Sequence, residues 1–234
     1  ESGAEPFEVV AVVSQPPAPQ GRKKVLTPSP VQALAEAQGL PVLTPPAAKD
    51  GAFLDALSAL DLDLCVTAAY GCFLPKRFLE TPRFGTLNIH PSLLPKYRGA
   101  APLQRALEAG ETTIGVTVLF TVLKMDAGPV VAQVPRELGG DEQAPELLRE
   151  LFELGTRELV AALPRVWSGA AAEEAAPQEE AEATHAPKVS KEEGPVALAE
   201  EGALRVHNKV RAFAEWPGTS VSLSLRGEPA EVRL

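Results

Sequence analysis

Cysteine is scarce in this sequence of 234 residues, which contains only Cys65 and Cys72. Their spacing matches neither a zinc motif nor a disulfide framework, so we expect no metal site and no disulfide-dependent fold. Cys65 lies in the apolar run 62–68 and is interpreted as a buried small hydrophobic residue. So few cysteines fit a reducing compartment.

Long hydrophobic runs and an excess of positive charge are also missing. No run approaches the roughly 18 apolar residues that a membrane-spanning helix needs, so we expect no membrane partner. Lys and Arg number 22 against 31 Asp and Glu, which gives a net charge of -9. This balance argues against binding of nucleic acid by the whole surface. It leaves room for a local basic patch, since screening confines charge effects to about 10 Å.

The start of the sequence has neither an initiator methionine nor a signal or transit pattern. An apolar, Val-rich run follows at residues 7–14, which predicts a strand buried on both faces. We therefore expect that further residues precede this sequence in the natural protein.

Short apolar runs and helical patterns alternate through the first two thirds of the chain. Strands are predicted at residues 7–14, 41–43, 62–68, 85–90, 113–121 and 130–134. Helices are predicted at residues 30–38, 51–60, 77–80, 102–109 and 145–167. Such alternation predicts an α/β fold with a Rossmann-like, mostly parallel sheet and flanking helices.

The later part of the chain predicts a different organisation. Residues 169–184 are rich in Ala, Glu, Gln and Pro and can bury too little apolar surface to offset their ordering entropy, so we expect a linker. Residues 1–168 would form the catalytic domain. Residues 185–234, with a helix at 203–213 and two strand-like runs, would form a truncated β-rich C-terminal domain too small for its own core.

Polar residues with catalytic potential are concentrated in the middle of the chain. Asn88 and His90 lie two positions apart on a predicted strand, so their side chains share one face. Ligand sites in open α/β sheets lie beyond the carboxyl ends of strands, where Asp126 also falls. An amide donor, an imidazole and an acid suit acyl or formyl transfer to an amine. Asn88 would donate to the oxyanion (about 3–4 kcal/mol in comparable sites), His90 would move a proton and Asp126 would orient the imidazole.

The residues alone leave simpler interpretations open. An Asn-x-His at a strand end is more often structural, and Asp126 near Gly128 is by itself a turn residue. Ser92 could cap a loop, while Leu93 and Leu94 could be plain core residues. The spacing does not establish that His90 and Asp126 meet, so composition and spacing end at a polar site of unspecified chemistry.

The segment 88–102, N-I-H-P-S-L-L-P-K-Y-R-G-A-A-P, resembles the signature of the folate-dependent formyltransferases, in particular those that act on methionyl-tRNA. The resemblance extends over most of the chain. It includes the residues at 21–24, 28–31, 69–71, 74–75, 104–107, 115–117, 126–128, 186–189, 207–213 and 216–217.

This resemblance implies a role for each motif. The co-substrate would be 10-formyltetrahydrofolate, the acceptor would be the amino group of initiator methionyl-tRNA, and no metal would be needed. The catalytic trio would be Asn88, His90 and Asp126. The folate would lie against Ser92, Leu93, Leu94 and Pro95. The acceptor stem of the tRNA would contact the basic loop Arg22, Lys23 and Lys24.

Departures from the family pattern add further expectations. Family members begin with another strand and helix and end in a complete small barrel, which are absent from this chain. Pro91 and Ala127 resemble plant or algal organellar members. We therefore expect an organelle matrix, mitochondrial rather than plastid, or the cytoplasm of a bacterium, and we expect a monomer.

Three other functions stay open. The first two are enzymes: a relative that formylates an amino sugar, and a formyltetrahydrofolate hydrolase domain. The third is a folate- or tRNA-binding module without catalysis. Dependence on tRNA would separate formyl transfer to methionyl-tRNA from these two enzymes, and turnover would separate it from a binding module.

Overall fold

The computed structural model describes residues 7–21, 23–225 and 228–234. The helices are α1 Pro30–Ala37, α2 Gly51–Ser58, α3 Lys76–Leu79, α4 Pro102–Ala109, α5 Ala144–Trp167, α6 Ala170–Glu174 and α7 Ala203–Ala212. The strands are β1 Val12–Val13, β2 Ala18–Gln20, β3 Val25–Thr27, β4 Val42–Leu43, β5 Cys65–Ala68, β6 Thr86–His90, β7 Arg98–Gly99, β8 Thr113–Phe120, β9 Val130–Glu137, β10 His185–Ala186, β11 Ser220–Leu225 and β12 Glu228–Arg233.

Local sequence signals begin and end the helices. The side chain of Ser29 accepts a hydrogen bond from the backbone N–H of Gln32 at 3.0 Å, and Pro30 occupies the first turn of α1. Helix α4 ends at Ala109, and Gly110 caps it with a φ of 80°, a left-handed conformation that glycine adopts without steric cost. These are the ends that the sequence predicts.

The main sheet has the strand order β5-β6-β8-β9. Strands β5 and β6 are parallel, whereas β6 and β8, and β8 and β9, are antiparallel. The predicted α/β fold is confirmed, but this sheet is mixed rather than mostly parallel. At one edge of the sheet, β9 is antiparallel to β8 because the connection between these two strands is short and reverses the chain direction.

The principal core lies between this sheet and α5. Leu147 and Leu151 of α5 are 1% and 0% exposed and belong to the same buried cluster as Leu87 and Val116 of the sheet. Because side chains alternate along a strand, this core takes Leu87 and Ile89 of β6 and leaves Asn88 and His90 on the opposite face.

The prediction of a doubly buried strand at residues 7–14 is wrong. Only Val12–Val13 pairs, in parallel with Val42–Leu43, while Val9 and Val10 are exposed. The partner strand is short, and no second strand pairs with β1 in the part of the chain that the structure describes, so the apolar run stays largely uncovered.

The segment 169–184, expected to order poorly, has structure of its own. Ala171 of α6 is 1% exposed, and Ala176 forms a bridge with Val130. Farther along, β10 pairs in parallel with β7. The composition misleads here because backbone pairing with Val130 and side-chain hydrogen bonds between Gln178 and Arg98, rather than large apolar residues, hold the segment in place.

The C-terminal region contributes to the principal core. Phe213 and Ala212, at the end of α7, are 0% and 2% exposed within the principal cluster. The Arg105 guanidinium of α4 donates to Glu193 at 2.5 and 3.0 Å and to the carbonyl of Pro187 at 3.1 Å. The domain boundaries themselves stay predictions. Among the described residues, no helix combines the length and the apolar character needed to cross a bilayer.

Candidate active site

Strand β6 places Asn88 and His90 on the face opposite α5. In the sheet register, Asn88 lies between Thr67 of β5 and Leu119 of β8, and His90 lies opposite Thr117. The site is therefore at the carboxyl end of β6, as expected for an open α/β sheet.

The imidazole of His90 is held in one orientation by a backbone carbonyl. Its Nε2 lies 2.9 Å from the carbonyl oxygen of Tyr97, and the residue is 4% exposed. A carbonyl can only accept a hydrogen bond, so Nε2 carries a proton. The nitrogen left to gain or lose a proton is Nδ1, which lies 3.8 Å from Oδ2 of Asp126.

Asp126 meets His90 from a tight turn. Its φ of 49° is left-handed, a conformation that costs a non-glycine residue of order 1–3 kcal/mol and therefore needs support from its surroundings. Its Oδ2 accepts a hydrogen bond from the backbone N–H of Gly99 at 2.8 Å. The carboxylate is thus fixed beside Nδ1, at a distance suited to charge stabilisation rather than to a direct hydrogen bond.

The side-chain amide of Asn88 is oriented by Thr67. The Thr67 hydroxyl donates to Oδ1 of Asn88 at 2.8 Å. With Oδ1 so engaged, Nδ2 is the end of the amide available to a ligand, and it can only donate. The half-buried Asn88 is thereby suited to stabilise a developing oxyanion.

The loop from Ser92 to Pro95 is anchored to the sheet by Thr117. The Thr117 hydroxyl, which is 0% exposed, donates to the carbonyl of Ser92 at 2.7 Å and accepts from the N–H of Leu94 at 3.2 Å. Gln133 donates to Thr117 Oγ1 and to the carbonyl of Leu94, both at 2.9 Å. Ser92 and Leu94 are buried, so the predicted folate loop is a rigid wall beside His90.

The predicted tRNA-binding residues lie elsewhere. Arg22 falls outside the described residues. Lys23 and Lys24 are exposed near the tip of the β2–β3 hairpin. The structure brings His90 and Asp126 together, but among the contacts it describes none joins the hairpin lysines to that pair.

Residues that the sequence did not single out complete the site. Thr67 and Thr117 act through hydroxyls at ordinary strand positions, and Tyr97 acts through its backbone carbonyl. No side-chain pattern in the sequence therefore predicts these contacts. Tyr97 and Thr117 were included only as members of the stretches 88–102 and 115–117 that carry the resemblance. In the described part of the chain, no group of three or more His, Cys, Asp or Glu residues is placed to hold a metal ion.

Residues 1–163 match the family model described as "Formyl transferase". A methionyl-tRNA formyltransferase of Thermus thermophilus is 43% identical over 233 residues, which cover 96% of this chain and 74% of that protein. The enzyme of the same name from Kosmotoga olearia is 40% identical, over 93% of this chain and 69% of that protein. For Halalkalibacterium halodurans the values are 39%, 90% and 66%. The chain thus spans about two thirds to three quarters of these relatives' length.

Solved structures share the fold at low identity. HypX from Aquifex aeolicus in complex with tetrahydrofolic acid has a TM-score of 0.65 at 24% identity, covering 83% of this chain and 33% of that one. A sugar N-formyltransferase from a Shewanella species has a TM-score of 0.65 at 18% identity, covering 86% and 79%. Because the family model matches residues 1–163, which are more than half of the chain, and because these relatives are about 40% identical over most of it, the chain belongs to the formyl transferase family and, within it, to the methionyl-tRNA formyltransferases.

Proposed function

We propose that this chain transfers the formyl group of 10-formyltetrahydrofolate to the amino group of initiator methionyl-tRNA. One observation carries the proposal: Nε2 of His90 is committed to the Tyr97 carbonyl while Nδ1 faces the Asp126 carboxylate at 3.8 Å. Such a histidine can accept or deliver a proton at one defined atom, which transfer of an acyl group between two nitrogens requires.

The reaction follows from these positions. The amine of the methionyl group attacks the formyl carbon, a new C–N bond forms, and the carbonyl oxygen becomes an oxyanion. Asn88 donates to that oxygen through Nδ2. Collapse of the intermediate breaks the bond from the formyl carbon to N10 of the folate, which takes up a proton as the amine nitrogen loses one. His90 Nδ1 carries this proton, and Asp126 stabilises the imidazolium.

The co-substrate and partner are supported by different observations. A protein of the same fold has been solved with tetrahydrofolic acid, and here the anchored loop from Ser92 to Pro95 would form the folate wall. The exposed lysines of the β2–β3 hairpin, together with Arg22, would contact phosphates of the tRNA. We further infer a monomer without a metal ion, in an organelle matrix and in a mitochondrion rather than a plastid; Pro91 and Ala127 support the organellar assignment.

The test is transfer of labelled formyl from 10-formyltetrahydrofolate to charged initiator methionyl-tRNA. The control is His90→Gln, because the glutamine amide nitrogen can still donate to the Tyr97 carbonyl but has no counterpart of Nδ1. We expect the wild-type chain to turn over and the variant to lose about 100-fold or more in kcat, given typical general acid–base contributions, with unchanged thermal stability.

Parallel acceptors discriminate the other functions. Transfer to an amino-sugar nucleotide, or release of formate without tRNA, would replace the proposed acceptor with a sugar or water. Folate binding without any turnover would favour a binding module. For the basic loop, replacing Arg22, Lys23 and Lys24 together by alanine should raise the KM for tRNA and leave the KM for folate unchanged; an unchanged tRNA KM would remove this loop from the tRNA site.

A further inference from the structure

The side chain of Gln178, in the segment between the two domains, joins the Asp126 turn to a buried arginine. Its Nε2 donates to the carbonyl oxygens of Asp126 and Gly128, both at 2.8 Å. Its Oε1 accepts from Nε and Nη2 of Arg98 at 3.0 and 2.8 Å. Both hydrogens of the amide nitrogen and both lone pairs of the amide oxygen are therefore used.

Arg98 fixes which way the amide of Gln178 points. The arginine side chain is 8% exposed, and its Nη1 donates to Oε2 of Glu180 at 3.0 Å. An arginine can only donate, so the oxygen of Gln178 must face it and the nitrogen must face the turn. The nitrogen of Gln178 therefore donates both of its hydrogen bonds to the Asp126 turn.

The Asp126 turn has little other freedom. A β-carbon at Gly128 would lie 1.7 Å from the carbonyl oxygen of Phe120, so the turn already lies directly on the end of β8. Gln178 holds the carbonyls of Asp126 and Gly128 in this turn. Because φ of Asp126 is left-handed, release of this contact would allow the backbone to relax and carry the carboxylate away from Nδ1 of His90.

The same segment also supports His90. The hydroxyl of Thr184 accepts a hydrogen bond from the backbone N–H of Tyr97 at 2.8 Å. Tyr97 has a φ of 62°, and its carbonyl accepts from His90 Nε2 at 2.9 Å. Gln178 thus holds the turn that carries Asp126, and Thr184 holds Tyr97, whose carbonyl binds His90. Both residues belong to the same stretch of chain.

We propose that Gln178 is a positioning residue for the transfer reaction: it sets the distance between Asp126 and His90 by holding the carbonyls of the Asp126 turn. The segment between the domains is then a working part of the active site rather than a plain connection. This inference rests on the proposed role of the His90–Asp126 pair.

The decisive variant is Gln178→Glu. Glutamate keeps an oxygen for Arg98, so the segment stays attached, but it cannot donate to the Asp126 and Gly128 carbonyls. A residue that only tethers the segment would tolerate this change. A positioning residue would not, and we expect kcat to fall by about 10- to 100-fold, as displacements of about 1 Å do, with both KM values within about twofold of wild type.

Gln38→Glu is the matched control, since it adds the same charge at an exposed residue after α1. It should leave kcat unchanged. If Gln178→Glu has wild-type kcat, the proposal is overturned. The proposal is likewise overturned, and the role is structural, in two further cases. In the first, Gln178→Glu lowers the free energy of unfolding by as much as it raises the activation free energy calculated from kcat. In the second, it raises KM and leaves kcat unchanged.

A second measurement separates this inference from the proposed function. The amide proton of Gly99 donates to Asp126 Oδ2, so its NMR chemical shift and exchange rate report the carboxylate position without any substrate. Gln178→Glu should move this resonance upfield and speed its exchange, whereas Gln38→Glu should not. A wild-type chain without transfer activity but with this response would refute the proposed function alone; an unaltered Gly99 resonance would refute the positioning role alone.

A double-mutant cycle tests the route of the effect. If Gln178 acts through Asp126, then adding Gln178→Glu to Asp126→Asn should change the residual single-turnover rate by less than about twofold. Full additivity of the two losses would show that Gln178 acts by another route and would contradict the proposal.

Discussion

A β-carbon added to Gly155 of α5 would lie 2.5 Å from Cγ2 of Ile89 and 2.7 Å from Cγ2 of Val116. Ile89 stands between Asn88 and His90, so this contact sets how closely the helix approaches the strand that carries the site. Gly155→Ala should cost up to about 2 kcal/mol of unfolding free energy, because overpacking costs about 1–3 kcal/mol and alanine gains roughly 1 kcal/mol over glycine within a helix. Urea denaturation measures the loss.

Gly51→Ala is the control for that substitution. Gly51 begins α2, and a β-carbon there meets nothing within 4 Å. We expect no loss and a gain of up to about 1 kcal/mol, through reduced entropy of the unfolded chain. Equal effects at the two glycines would show that the close approach of α5 to Ile89 does not limit packing.

The hydroxyl of Thr117 should stabilise both the fold and the folate loop. Thr117→Val keeps the shape but leaves the Ser92 carbonyl and the Leu94 N–H without their partner inside the protein. Such a loss costs about 1–3 kcal/mol. We also expect the KM for 10-formyltetrahydrofolate to rise while the KM for tRNA stays constant, which steady-state kinetics with each substrate varied in turn can resolve.

Thr86→Val is the control that separates the loss of hydrogen bonds from other effects of replacing threonine by valine. Thr86 is 1% exposed on β6, and within the described residues its hydroxyl is buried without a hydrogen-bond partner. Replacing it should be neutral or stabilising, because no bond is lost and an apolar methyl group suits the site. A loss as large as that of Thr117→Val would mean that shape, rather than hydrogen bonding, explains both.

Sequence reasoning reached the parts of the site that local chemistry controls. Asn88 and His90 share a face because strands have a period of two, and α4 is confirmed from Pro102 to Ala109 because proline and glycine mark its ends. The motif at 88–102 identified the family. The antiparallel direction of β8 and the meeting of His90 with Asp126 depend on long-range topology, which spacing does not contain.

The contacts that escaped prediction are those made by the backbone or by ordinary hydroxyls. Tyr97 binds His90 through a carbonyl, which every residue has, and Gln178 lies in a stretch whose composition predicts weak ordering. In both cases the stabilising partner is far away in sequence: Thr184 for Tyr97, and Arg98 for Gln178. Composition cannot register such pairs, because each residue alone is unremarkable.

The two cysteines should differ sharply in reactivity. Burial raises the pKa of the Cys65 thiol to about 11, whereas Cys72 is exposed. Because the thiolate is the reactive form, Ellman's reagent near neutral pH should label a single thiol rapidly in the native protein and the second only on unfolding. Cys72→Ser should abolish the rapid phase. Rapid labelling that persists in this variant would show that Cys65 is accessible.

Glu142 should make the stability of the fold depend on acid pH. Its carboxylate accepts from the N–H groups of Gly139 and Gly140 at 2.7 and 2.9 Å, and these bonds, with Arg136 nearby, lower its pKa to about 2 from the usual 4.5. A lowered pKa in the folded state stabilises the protein above about pH 4.5, and the contribution is lost as the pH falls towards 2. The stability difference between wild type and Glu142→Gln, from urea midpoints, should therefore shrink as the pH falls through this range. Glu182→Gln, at an exposed residue, controls for the change in net charge. A difference for Glu142→Gln that stays constant with pH would show that the hydrogen bonds from Gly139 and Gly140 do not stabilise the charged carboxylate.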